Sequence, residues 1–452
     1  MGKYFGTDGF RGKAGEDLTA VHAFKIGRFL GNHFKNQHKD AKIVIGKDTR
    51  LSSYMYENAL AAGITSSGCD AYLLHVTTTP CVSYITRTEN FDCGIMITAS
   101  HNPYYDNGIK IINENGEKMD DAIQDEIERY IDGEIPEIPF ATEANIGKTI
   151  DFYNGRNRYI GYLTNLATRG FEKCKIGLDC ANGSSWMIAR SVFDALGAKT
   201  YVINNEPNGI NINDKAGSTY LDGLRKFVVE NNLDVGFAFD GDADRCLAVD
   251  ENGNEINGDI IMFICAKYLK AKDQLPNNTI VTTIMSNFGL YKALDEYDIN
   301  YEKTAVGDRY VYENMKAYDY FLGGEQSGHI IFRKYAHMGD GLITAIMLMN
   351  ILVETQLPLS TLAAEVTLFP QILKNVIVDD KDSTMNDPVV IAAVDTCTKE
   401  LGNNGRVLLR KSGTEPVLRV MAEAHTHEDC KAKVDYIISA IEKSGHLKEI
   451  KD

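Results

Sequence analysis

Four stretches of this chain carry residue types suited to moving a charged group. The first, Thr98-Ala99-Ser100-His101-Asn102-Pro103, sets a hydroxyl beside an imidazole. Serine is a weak nucleophile without help, so His101 and the nearby Lys110 are the candidates for proton handling or charge stabilisation. The second, Asp240-Gly241-Asp242-Ala243-Asp244-Arg245, alternates its carboxylates, so extended backbone puts all three on one side. Three crowded like charges call for a cation, and hard carboxylate oxygens suit Mg²⁺. An EF-hand loop shares this start and Glu251 falls where its final ligand would be. Arg245, however, stands where that loop requires glycine. The third, Gly323 to His329, offers Glu325 and Ser327 to sugar hydroxyls, with His329 able to exchange protons near neutral pH. The fourth, Arg410-Lys411-Ser412-Gly413-Thr414-Glu415-Pro416, suits an anion. Gly413 permits close backbone approach, Ser412 and Thr414 supply hydroxyls, and Arg410 and Arg419 supply guanidinium forks.

Something must hold these groups, and the surrounding pattern says what. Asp92, Asp234 and Asp319 each stand eight residues before Ser100, Asp242 and Ser327, and each opens a short apolar run ending in one of the loops. Such a run reads as a buried strand with functional groups at its tip. Lys42-Ile43-Val44-Ile45-Gly46, Lys175-Ile176-Gly177-Leu178-Asp179 and Thr279-Ile280-Val281 read as earlier strands of the same three copies, with second strands near 68–74, 197–203 and 297–303. Asn115-Gly116 and Asn252-Gly253 predict type I′ hairpin turns after the first two loops.

The fold class expected is α/β: three repeated α/β domains with mixed sheets between helices, plus a smaller C-terminal α+β domain. The expected domains are 1–145 with the serine loop, 146–255 with the acidic loop, 256–366 with the Glu/Ser/His loop, and 367–452 with the anion loop.

A net charge of −16 disfavours nucleic acid or an anionic membrane as partner, so an anionic small substrate needs locally concentrated Arg and Lys. The longest apolar run, 342–353, is about one core helix long and contains Asn350, so no membrane span is expected. Nine scattered cysteines without metal-like spacing, and no signal-type segment after Met1, point to reduced thiols in the cytoplasm. His425 and His427 read as surface residues of the tail rather than a metal site.

Taken together and in order, Gly6-Thr7-Asp8-Gly9-Phe10-Arg11-Gly12, the Ser100 loop, the Asp triad, Gly324-Glu325-Gln326-Ser327-Gly328-His329 and the Arg410 loop resemble the α-D-phosphohexomutase family over the whole chain. The resemblance implies a phosphoryl group on Ser100 and one Mg²⁺ per site on Ser100, Asp240, Asp242 and Asp244. It implies catalytic roles for Arg11, His101, Lys110 and His329, and substrate contacts from Arg245, Gly307, Asp308, Arg309, Glu325 and Ser327. Arg410, Ser412, Gly413, Thr414 and Arg419 become a phosphate clamp.

The implied reaction interconverts glucosamine 6-phosphate and glucosamine 1-phosphate through a phosphoserine enzyme and glucosamine 1,6-bisphosphate, feeding UDP-N-acetylglucosamine and cell-wall precursors. Gln326 favours the amino sugar, since glucose and mannose relatives often carry Met there. Ala243 and Lys411 depart from the amino-sugar pattern, which has Gly and often Pro. Phosphoglucomutase or phosphomannomutase activity is the alternative within the family. A phosphosugar-binding regulator without chemistry is a rival from another class, against which stands the presence of every residue the chemistry needs. The expected partner is a small phosphosugar, with neither nucleic acid nor membrane, and the protein a monomer or homodimer.

Overall fold

The computed structural model describes residues 2–6, 8–37, 39–411 and 417–451. The chain forms two compact units, Met1–Met285 with Asp298–Ala364, and Ser286–Tyr297 with Glu365–Asp452.

Three sheets repeat one plan. Lys42–Lys47, Lys175–Asp179 and Thr279–Thr283 each lie between two parallel neighbours. On one side run Asp70–Val76, Lys199–Ile203 and Asn300–Thr304; on the other run Cys93–Ile97, Val235–Phe239 and Leu322–Gly324. The latter set then pairs antiparallel with Asp106–Asn113, Cys246–Asp250 and Ile330–Phe332. Parallel neighbours need crossovers, supplied by helices such as Leu51–Thr65 and Thr79–Thr88 in the first copy. Cys93–Ile97 and Val235–Phe239 are buried throughout, which is why they read as continuous apolar runs. The shift from the last parallel strand to its antiparallel partner falls in each copy at a loop the sequence singled out: 98–105, 240–245 and 325–329.

The expected type I′ turns are replaced. Only Gly116 (φ +76°) and Gly253 (φ +84°) are left-handed there, whereas type I′ needs two such residues. The residue entering each turn is the cause. Asn113 Oδ1 accepts the Asn115 and Glu117 N–H groups at 3.0 and 3.1 Å, and Asp250 Oδ1 accepts those of Asn252 and Asn254 at 2.9 and 2.8 Å. A side-chain oxygen serving two loop amides favours this wider turn.

Two elements pair across the expected domain limits. Thr149–Asp151 pairs with Asp70–Val76, so the first sheet continues past residue 145. The helix Phe288–Glu296, inside the expected third domain, groups with the C-terminal unit. There Asn287 Oδ1 accepts the Phe369 N–H at 2.9 Å, and Glu423 Oε2 accepts the Phe288 N–H at 3.0 Å and Arg406 Nε at 2.6 Å. The C-terminal sheet is antiparallel, in the order Gly405–Lys411, Val417–Ala424, Gln371–Val378, Leu447–Lys451. No helix among the described residues is long and apolar enough to cross a membrane.

The helices Ala20–Gln37 and Leu51–Thr65 touch backbone to backbone. A Cβ on Gly27 would lie 2.5 Å from the Leu60 carbonyl oxygen, and one on Gly63 would overlap that of Phe24. Neither carbonyl belongs to a side chain that can swing aside, so Gly63→Ala must separate the helices. It is expected to destabilise the protein by about 1–3 kcal/mol, read as a lower urea midpoint at an unchanged m-value.

Candidate active site

The strand Val235–Phe239 ends directly in the acidic loop, whose Asp240, Asp242 and Asp244 are all buried. One carboxylate oxygen from each lies within 4.8 Å of the others, and among the described residues this is the one group of its kind. Lys110 answers this charge from the antiparallel strand Asp106–Asn113, its Nζ 2.7 Å from Asp242 Oδ2 and 3.1 Å from Asp244 Oδ2. Burial works against the Lys110 charge, but Asp242 and Asp244 hold it protonated, its pKa above the ordinary lysine value.

The carboxylates themselves diverge. Burial and then the charges of Asp244 and Asp242 push Asp240 well up, whereas Lys110 and His329 overcome burial and hold Asp244 well down. Asp242 Oδ1 and Asp244 Oδ1 are buried without a hydrogen-bond partner. Two orphaned anionic oxygens beside a third carboxylate fit a divalent cation, which would satisfy both. Ala243 is buried with a left-handed φ of +56°, a conformation that glycine adopts freely and a Cβ penalises by roughly 1–2 kcal/mol.

Ser100 meets this loop from the first domain. It is buried and left-handed (φ +51°), and its Oγ donates to Asp240 Oδ2 at 2.5 Å, with His101 Nδ1 at 3.3 Å. Burial, reinforced by the charges of Arg245 and Arg11, pushes His101 down to about 4. At neutral pH it is therefore an uncharged ring among cations. The Nε groups of Arg11 and Arg245 are buried without a hydrogen-bond partner, an environment complementary to an anion. Thr79 fixes Asp242 from the other side: its N–H donates to the Asp242 carbonyl at 3.0 Å and its hydroxyl to Oδ2.

His329, from the third loop, has Nδ1 3.7 Å from Asp244 Oδ1 and Nε2 3.7 Å from Asp308 Oδ2. Burial opposes its charge, yet Asp244, Asp308 and Glu325 raise it to about 9. The Gly339 N–H also approaches Nε2 at 3.0 Å, so the neutral ring has a partner as well. Charges alternate outward from there: Asp308 Oδ1 to Lys118 Nζ at 2.7 Å, Lys118 to Asp8 at 3.6 Å, and Asp8 to Arg11 at 3.4 Å. Adjoining cavities share Lys118, Gln124, Asp308, His329 and Met338 in their walls, and one extends to Lys110 and Asp244.

Glu325 Oε1 accepts the N–H of Gly307 (φ +132°) at 3.1 Å, and burial raises the Glu325 carboxyl. Ser327 is exposed. Arg309 lines a cavity beside His329, but its Nη1 pairs with Asp121 at 2.8 Å and its Nε with Glu313 at 2.8 Å.

In the C-terminal unit, Arg410 and Arg419 face each other across adjacent strands. Both Nε groups are buried without partners, and burial together with Arg419 lowers the pKa of Arg410. Two cations forced together in this way are the complement of an anion. Ser412, Gly413 and Thr414 lie outside the described residues. His425 and His427 are exposed.

Sequence reasoning singled out neither Lys118 nor Thr79, and it gave Asp8 no role. Asp8 had a signal in its glycine-rich motif beside Arg11. Lys118 sits beyond the Asn115-Gly116 turn and Thr79 opens a helix, so neither had a local one.

Sequence profiles of the phosphoglucomutase/phosphomannomutase family match the chain in four blocks: alpha/beta/alpha domain I over residues 2–137, domain II over 157–253, domain III over 257–369 and the C-terminal domain over 373–439. The chain is 59% identical over 448 residues to the phosphoglucosamine mutase of Lachnospira eligens, covering 99% of this chain and 100% of that one. It is 50% identical to the phosphoglucosamine mutase of Oceanobacillus iheyensis, covering 98% and 99%.

Among solved structures, a phosphoglucomutase/phosphomannomutase family protein of Burkholderia thailandensis superposes with a TM-score of 0.80 at 22% identity, covering 98% of each chain. The Aspergillus fumigatus N-acetylphosphoglucosamine mutase in complex with GlcNAc-6P and magnesium superposes at 0.69 and 17% identity, covering 98% and 96%. Likeness at these identities shows the shared fold.

A divalent cation is expected to bind with the triad as its ligands. Asp242→Asn removes one negative charge from the group and should weaken Mn²⁺ binding by about tenfold or more, read by calorimetry or by the free-ion resonance signal.

Proposed function

The chain belongs to the α-D-phosphohexomutase family, and we infer from that premise that it reversibly converts glucosamine 6-phosphate to glucosamine 1-phosphate. The observation that carries the mechanism is the junction of a buried serine hydroxyl with a buried carboxylate cluster. Phospho-Ser100 gives its phosphoryl group to the sugar 1-oxygen: the Oγ–P bond breaks, the new O–P bond forms, and the sugar hydroxyl's proton ends on the released Ser100 Oγ. The resulting 1,6-bisphosphate turns over, and its 6-phosphoryl group returns to Ser100 in the mirror-image step.

Arg11, Arg245 and Lys110 balance charge on the transferring group, and His101 stays uncharged beside them. His329, charged at neutral pH, adds a further cation beside the acidic loop and can serve as a general acid. Glu325 and Ser327 hold sugar hydroxyls, with Gly307, Asp308 and Arg309 completing the wall. Arg410 and Arg419, with Ser412, Gly413 and Thr414, hold whichever phosphate is not reacting.

Asp240, Asp242, Asp244 and a phosphoserine oxygen would hold Mg²⁺, whose charge offsets that of the transferring phosphoryl group. The magnesium and GlcNAc-6P of the fungal relative support both the metal and the hexosamine phosphate. Nine free thiols, eight of them buried, suit a reducing cytoplasm.

Ser100→Ala is expected to abolish mutase activity while leaving the thermal midpoint in place, and phosphopeptide mapping of the wild type should find the group on Ser100. Arg419→Ala is expected to weaken both glucosamine monophosphates by similar factors, about ten- to a hundredfold, since one charge-assisted fork serves both. Calorimetry on each monophosphate reads this; weakening of one alone would mean separate phosphate sites.

A further inference from the structure

Two backbone carbonyls of the serine loop are gripped by the same two side chains. The Ser100 carbonyl accepts from Arg50 Nη2 at 3.2 Å and from Asn213 Nδ2 at 2.8 Å. The Asn102 carbonyl accepts from the same atoms at 2.6 and 3.1 Å. Arg50 follows the strand Lys42–Lys47 and is wholly buried, its Nη1 paired with Asp48. Asp48 is fixed in turn by the Arg50 N–H and the Ser53 hydroxyl.

Asn213 comes from the second domain, between Lys199–Ile203 and Asp222–Glu230, and its N–H donates to the Ala181 carbonyl at 2.9 Å. The acidic loop closes the remaining side, where a Cβ on Gly241 would lie 2.5 Å from the Ser100 carbonyl oxygen. All this converges on a residue whose left-handed backbone is disfavoured for any side chain, and such a conformation persists only where its surroundings over-determine it. Released, Ser100 would relax to negative φ and swing its Oγ away from Asp240.

We propose that Asn213 and Arg50 are positioning residues for phosphoryl transfer, holding the Ser100 carbonyl so that the hydroxyl faces the acidic triad. The second domain thereby aims a nucleophile carried by the first. The proposal rests on the reading of Ser100 as the phosphoryl carrier, and neither side chain touches the reacting atoms.

Asn213 is itself left-handed (φ +60°), which dictates the variants. Asn213→Gly keeps that backbone without strain and removes the amide. Asn213→Asp keeps the shape and turns both donors into acceptors facing two carbonyl oxygens. Each is expected to lower kcat roughly ten- to a hundredfold, because a small misplacement of the nucleophile is costly. The KM for glucosamine 6-phosphate should stay within about twofold, since substrate binding is untouched. Mn²⁺ affinity of the dephosphorylated protein, set by the three carboxylates, should hold, and inorganic phosphate released per turnover should rise as misaimed phosphoserine is lost to water.

A purely structural role would instead lower the midpoint and leave kcat per folded enzyme and phosphate release unchanged, which overturns the proposal. If Asn213→Gly does not fold, Asn213→Asp is read by the same measurements. Ser100→Ala, assayed alongside, separates the two levels. Activity in Ser100→Ala overturns the serine reading itself. Inactive Ser100→Ala with fully active Asn213→Gly overturns only the positioning role.

Discussion

Three carboxylates buried within 4.8 Å of one another are the constraint around which the larger unit is built. A pair of like charges about 4 Å apart repels by roughly 4 kcal/mol at an effective dielectric of 20, and here there are three. The second domain relieves this only in part, since the Arg245 N–H donates to Asp240 Oδ1 at 3.2 Å but its guanidinium makes only a long ion pair, 3.9 Å, with Asp244. Relief comes from elsewhere in the chain. Lys110 reaches in from the first domain and His329 from the third, so the acidic loop can be buried only when all three domains are in place. Its remaining unsatisfied oxygens are those of Asp242 and Asp244, which is where a cation belongs.

The loops were legible in the sequence because their setting is local. An apolar run that stops at a polar, glycine-punctuated tip is visible within ten residues, and the same tip occurs three times in one strand order. What escaped the reading depends on contacts across long separations. Arg309 looks free in sequence, but Asp121, 188 residues away, engages its guanidinium. Lys118 acquires its place through Asp308 and Asp8, from another domain and another segment. The strand Leu447–Lys451 was missed because it is a largely exposed edge with only Leu447 and Ile450 apolar. The turn type was missed because Asn-Gly was weighed without the Asn113 and Asp250 that precede it.

The C-terminal unit applies the opposite electrostatics. Arg410 and Arg419 stand side by side with unpartnered Nε groups, a repulsive arrangement on its own. A phosphate dianion between such cations would remove the repulsion as well as add hydrogen bonds, so the favourable term would be larger than either guanidinium alone supplies. Glucosamine 6-phosphate and glucosamine 1-phosphate carry the same group, and recognition through charge alone does not ask which carbon bears it.

The shared strand order has an evolutionary consequence. Each of the three sheets offers one socket, between its last parallel strand and the antiparallel return, and the scaffold around that socket is the same each time. Three copies of one strand order are what duplication of an ancestral unit would leave, and each copy of the loop could then vary without disturbing its frame. One carries a buried serine hydroxyl, one three buried carboxylates, and one a glutamate, a serine and a histidine. Such a history would be subfunctionalisation within a single polypeptide, the fate more familiar for separate genes. Because an enzyme built this way needs every copy, none can be lost, which preserves the traces of its ancestry in the chain.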